Sequence, residues 1–192
     1  MKNEWKRGRN MSQTEEWYQS TEEYETERMF LTRSLLFHYQ DEKMLRTDKR
    51  KIFEIGKKAD QSAAHRVIIP EAYLLRTAGA GRFLSFCVGL AITAMTDDVT
   101  AESLSEIAVN RGMRVPTFGF AMQLFTGEGE TRRDCFEEFF REKEKFELFF
   151  ELDETRAVTE QGLVIRSRIL QFLYSPETCL LYTSDAADEE DS

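Results

Sequence analysis

The sequence predicts a mainly α protein with a helix-turn-helix-like pair of helices and a long N-terminal amphipathic helix. Three observations predict it. Apolar residues recur at helical spacing from Trp17 to Tyr39 and again over Thr131–Phe150. The tract Pro70–Phe125 holds the longest apolar run, Phe83–Met95, and the main glycine and proline punctuation. Within it, SLSEIAVNRGMRVPTFGFAMQLF resembles a helix, a glycine turn and a second helix.

In chain order, MKNEWKRGRNM (1–11) is a basic leader without the apolar stretch of a signal peptide. Ser12-Gln-Thr-Glu15 has the S-x-x-E form of a capping box. Trp17, Tyr24, Leu31, Leu35 and Tyr39 then share one face, with Glu22, Glu23, Glu25 and Glu27 opposite, so one helix is expected over about 13–45. Aromatic inward positions suit docking on a globular body better than a coiled-coil seam. The basic segment 46–58 completes a helical arm over 12–58, its cations offsetting the acidic face of the first helix. GKKADQSAAHR (56–66) reads as a linker, counted over 59–66 where the arm ends.

The body spans 67–176. Pro70 opens a short helix that stops at Gly79 and Gly81, both expected in the left-handed conformation. Arg82–Thr96 is apolar all round and should be the most buried element, broken by Asp97-Asp98. In the helix-turn-helix, Leu104, Ile107 and Ala108 face inward, Gly112 turns the chain, and Pro116-Thr117 opens a second helix to Phe125. A base-reading helix needs Arg, Lys, Asn or Gln at its exposed start. This one offers Thr117, Phe118, Gly119, Phe120 and Gln123, so a structural role is expected. One helix follows over Thr131–Phe150, with Phe136, Phe139, Phe140, Phe146 and Phe150 on one arc facing the core. Val158–Val164 is a strand or wing, and Ile165–Tyr174 a last helix with Ile169, Leu170 and Leu173 inward.

The net charge of −9 argues against a sequence-independent grip on nucleic acid. Part of it lies in a tail, 177–192, expected to be disordered. There CLLYTSDAADE (179–189) resembles the translation of a sequencing adapter, so the authentic sequence is expected to end near Thr178. Residues 179–192 carry five acids and no Lys or Arg, so without them the charge is −4. Cys87 and Cys135 lack metal-ligand spacing and suit buried reduced thiols. The apolar run at 83–95 is far below the ~20 residues of a bilayer crossing.

No catalytic, cofactor-binding or metal-ligating residue is expected. His38 and His65 have no Cys or carboxylate at ligand spacing, and Ser occurs in no G-x-S-x-G context. GEGETRR and Gly79-Ala-Gly81 lack the Lys and hydroxyl of a phosphate loop.

Three pieces, EAYLLRTAGAGRFLSFCVGLAI (71–92), VPTFGFAMQLF (115–125) and VIRSRILQFLY (164–174), resemble in order the N-terminal region that precedes the ATPase module in a group of bacterial AAA-family ATPases. TDDVTAESLSEIAVN stands where those proteins carry an L-Q-D-D-like segment. The resemblance implies a winged-helix-like fold over about 67–176. It also implies a non-catalytic recognition or assembly role beside a cytoplasmic ATPase module beyond this chain. The partner would be a protein or that module, with no nucleic acid or membrane, and any oligomer would form through the module. The alternative expectation is a helix-turn-helix DNA-binding, transcription-regulator-like domain.

Overall fold

A computed structural model describes residues 16–127 and 129–175 of the 192-residue chain. Among them are nine α-helices and one two-stranded ribbon. The capping box expected at Ser12–Glu15, the leader and the tail lie outside the described residues.

The single helix expected over 13–45 is instead a hairpin of two. α1 (Thr21–Phe37) begins where the Ser20 hydroxyl accepts from Glu23 N. It ends at His38, and Asp41 starts α2 (Glu42–Ser62) by accepting from Lys43 N and Met44 N, each at 3.1 Å. An aspartate satisfying two free amides makes a strong helix start, and it reverses the chain within the expected helix. The apolar face survives the break. Tyr24, Leu31 and Leu35 are buried on α1, and Tyr39, past its end, packs edge-on against Phe120. Residues 59–62 of the expected linker finish α2, and 63–65 form a short 3-10 turn.

Polar ties help hold the hairpin on the body. The Arg33 guanidinium pairs with Asp97, Arg28 pairs with Glu71, and Lys49 Nζ donates to Phe125 O at 2.6 Å. Lys49 is buried, and its charge sits at the negative end of a helix. Of the basic segment, Lys58 does meet Glu27 of α1, at 3.7 Å.

α3 (Pro70–Thr77) has proline at its first position, as expected. Gly79 takes the left-handed conformation (φ 59°), but Gly81 does not (φ −69°). Gly81 instead gives room to Glu138, whose carboxylate would collide with a Cβ there. That carboxylate accepts from Leu84 N at 2.9 Å and so caps α4 (Arg82–Thr96) from another helix. α4 is the centre of the core, with Phe83, Leu84, Cys87, Ala91 and Ile92 fully enclosed. α1 and α5–α7 surround it.

Asp97 ends α4 and caps α5 (Asp98–Glu106), taking Thr100 N at 3.0 Å. Leu104 within α5 and Ile107 at its end are buried as expected, but Ala108 is exposed. The residue that organises the turn is Asn110. Its amide donates to Leu104 O, Met113 O and Val115 O, and its carbonyl accepts from Thr117 N. Gly112, left-handed at φ 71°, completes the turn. α6 (Phe118–Phe125), capped by Thr117, is sunk in the core rather than laid on a surface. Phe118, Phe120, Ala121, Met122, Leu124 and Phe125 are all buried, and Gln123 is the exposed exception.

The single helix expected over Thr131–Phe150 is interrupted at Glu142. α7 (Arg132–Arg141), opened by a Thr131–Asp134 capping box, gives way to α8 (Lys143–Phe149), and Phe150 belongs to strand β1 (Phe150–Glu151). Phe139, Phe146 and Phe150 are buried and Phe136 partly so, but Phe140 is 64% exposed. β1 pairs antiparallel with β2 (Val164–Ile165), so the strand expected over Val158–Val164 is confined to its end, after a 3-10 turn at Val158–Glu160. That turn presses on α6. A Cβ on Gly119 would lie 2.7 Å from Thr159 O. α9 (Ser167–Tyr174) buries Ile169 and Leu173, with Leu170 only partly covered. Among the described residues no single helix is long and apolar enough to cross a membrane.

Candidate functional site

The hairpin brings together groups that the sequence kept apart. His38 has a carboxylate partner after all. Its Nδ1 lies 2.8 Å from Asp48 Oδ2, which also accepts from Ser34 Oγ at 2.9 Å. A Ser-His-Asp relay needs the serine on one imidazole nitrogen and the acid on the other. Here Ser34 and Asp48 both crowd Nδ1, so this constellation ties α1 to α2 and cannot relay a proton to a serine. His65 stacks on Trp17 with ring centroids 3.8 Å apart, a packing role. No group of three or more His, Cys, Asp or Glu among the described residues has the geometry to hold a metal ion.

Both cysteines among the described residues, Cys87 and Cys135, are buried. Burial pushes the Cys135 thiol up to about 12, with Glu138 adding to it. Burial, with smaller contributions from Cys135 and Glu138, pushes Cys87 well above the ordinary thiol range. Neither is a reactive nucleophile near neutral pH.

What the surface offers is an apolar groove between α1 and α5. Phe30 and Phe37, seven residues apart and so on one helix face, are 68% and 83% exposed. Val99, at the start of α5, is 52% exposed. Leu36, Tyr39 and Ile107 lie between these elements and line the groove with them. Arg33 and Asp97 bridge the two helices, Arg33 Nε donating to Asp97 Oδ2 at 2.9 Å. The Arg33 hydrogen bond, helped by those from Thr100, holds the Asp97 carboxyl at about 2, so the bridge stays charged at neutral pH. Phe37 and His38 border a shallow depression of mixed charge, shared with Asp41, Glu42, Lys43 and Arg46, in which Arg46 pairs with Glu42. From there Lys43, Arg50, Lys51 and Lys57 follow one side of α2 and make no ion pair among the described residues.

Of these residues the sequence marked Tyr39 and Ile107, as inward positions, and left Phe30, Phe37 and Val99 unmarked. Phe30 and Phe37 fall off the Tyr24–Leu31–Leu35 face, nearer Glu23 and Glu27, and helical periodicity alone does not show that they meet α5 across a groove. Compared with protein-family models, curated proteins and solved structures, the chain matches none of them.

Proposed function

We propose that this chain is a non-catalytic recognition domain, the N-terminal, winged-helix-like region of a cytoplasmic AAA-type ATPase, and that the α1–α5 groove takes a protein segment. The observation that carries the recognition role is the pair Phe30 and Phe37, two large aromatics left in water on a chain that buries most of its others. Exposed aromatics grouped on one face are what interaction sites use. The winged-helix reading rests on the α5–α6 pair and the β1–β2 ribbon. The link to an ATPase rests on the three stretches of sequence resemblance.

Charge defines the segment further. Lys43 borders the depression next to Phe37 and His38, and Arg50, Lys51 and Lys57 lie further along α2, on a chain whose net charge is −9. An acidic segment carrying leucine or aromatic side chains complements both surfaces. The DNA-binding alternative draws support from the same cations. Against it stands α6, whose Phe118 and Phe120 are buried where a reading helix must be exposed.

Fluorescence anisotropy with a labelled amphipathic Glu/Leu peptide and with a labelled random-sequence DNA duplex tests the choice. The reading expects salt-sensitive peptide binding, lost in Phe37→Asp, with weaker retention of DNA. Duplex binding that survives Phe37→Asp, with no peptide binding, would replace it by the DNA reading.

A further inference from the structure

Helices α1, α2, α3 and α4 line a partly open cavity of about 80 Å³ that none of the interactions above fills. Leu35, Ile52, Ile55, Leu75, Phe86 and Leu90 make most of its wall. Its polar lining centres on Glu71, which accepts from the Tyr24 hydroxyl at 3.0 Å and pairs with an Arg28 terminal nitrogen. Thr32 also borders the cavity, and its hydroxyl lies 3.4 Å from that of Thr93.

One polar atom is left over. Arg28 Nε is buried and has no hydrogen-bond partner. Arg28 is only 5% exposed, so bulk water does not reach this donor freely. A buried N–H without an acceptor is rare and costly in native proteins, and an unseen occupant of an adjoining space is a standard resolution.

The walls preserve the space. Gly56 lies within α2 and Gly89 within α4, positions where alanine is the better helix former. At Gly89 a Cβ would lie 3.4 Å from Glu71 Oε1, in ordinary contact with the ion pair that borders the cavity. At Gly56 a Cβ would meet nothing within 4 Å. Packing does not demand that glycine, and any larger side chain would narrow the cavity.

We propose that this cavity is a binding site for a small neutral molecule that presents one hydrogen-bond acceptor to Arg28 Nε. Each part follows from the lining. Arg28 and Glu71 cancel one another and no other charged side chain lines the cavity, so a charged ligand would be left unpaired in an apolar surround. The unmatched group is a donor, so the ligand brings an acceptor. An apolar cavity of about 150 Å³ holds benzene and a water needs about 10–15 Å³. A cavity of about 80 Å³ therefore suits a compact carbonyl or alcohol of about four heavy atoms, larger than a single water.

Acetone is the probe, acetate its charged isostere, and isobutene the isostere without an acceptor. The measurement is NMR of the full chain, following the Arg28 Nε–H resonance as each is added. A ligand this small binds at best in roughly the tens-of-micromolar range, so titration runs to on the order of 100 mM. The proposal expects a saturable shift with acetone and at least about tenfold weaker binding of acetate and isobutene. It also expects the shift to disappear in Gly56→Leu, whose side chain enters the open space. Acetate binding as tightly as acetone would overturn it, and so would the absence of a saturable shift. Crystals soaked in acetone give an independent reading. Density for the carbonyl oxygen within about 3.2 Å of Arg28 Nε is expected, whereas ordered water alone in the cavity would contradict the proposal.

Discussion

Replacing Phe118 by alanine tests whether the second helix of the helix-turn-helix-like pair is core or surface. Its ring is fully buried and meets Phe139 at 4.9 Å and Phe83 at 5.3 Å between centroids, both edge-on. Phe136 and Phe146 stand at 6.0 and 6.2 Å. Truncating a phenylalanine so enclosed costs about 3–5 kcal/mol, from lost apolar transfer and from the cavity left behind. The edge-on pairs, each worth about 0.5–1.5 kcal/mol beyond area, favour the upper end. Against a typical total of about 5–15 kcal/mol this is a large fraction. Urea unfolding followed by far-UV circular dichroism, with a slope of about 2 kcal/mol per molar, should show the midpoint fall by roughly 1.5–2.5 M. Phe37→Ala, at an 83% exposed position, should move stability by no more than about 0.5 kcal/mol. A Phe118→Ala change below about 1 kcal/mol would refute the placement of α6 in the core and restore it as a surface helix.

Two further outcomes separate this packing from generic helix behaviour. Gly119→Ala should destabilise the chain although alanine is the better helix former, because its Cβ would lie 2.7 Å from Thr159 O. Thermal unfolding checks it, and a raised melting temperature would mean that the 158–160 turn does not press on α6. Asp97 is held at about 2, below its ordinary 3.8, so its contribution is complete above about pH 4 and fades as pH falls toward 2. Asp97→Asn keeps an N-cap but removes the charge facing Arg33, so it should flatten the loss of stability between pH 4 and 2. An unchanged slope would show that Arg33 does not hold that carboxylate.

Much of the fold was legible because it depends on local chemistry. The apolar run at 83–95 could only be an enclosed helix, Pro70 could only open one, and Gly112 marked the turn before Pro116. Asp41 was legible too, as an N-cap ahead of Glu42, but the apolar period running on through Leu35 to Tyr39 masked it. The break at Glu142 had no such signal, since REKEK is built of good helix formers and only tertiary packing turns the chain there. Partners far apart in sequence were out of reach. Glu71 meets Arg28 across 43 residues, and Glu138 caps α4 across 54. Asn110 was not marked at all, and its four bonds exist only once Leu104, Met113, Val115 and Thr117 converge on it. Exposure was the other blind spot. Phe140 continues the apolar arc of α7 yet stands in water, and Phe37 lies off the Tyr24–Leu31–Leu35 face of α1 without any signal in the sequence that it borders a groove.

The association with an ATPase module is decided most directly by the gene. Long-read sequencing of the locus should show the frame running past Thr178 into a strand and then G-x-x-x-x-G-K-[ST], with an acidic Walker-B strand further on. Those motifs supply the lysine and hydroxyl that a phosphate loop needs and that GEGETRR lacks. A stop codon within a few residues of Thr178, with no ATPase module behind it, would contradict the account and leave a free-standing helical binding domain.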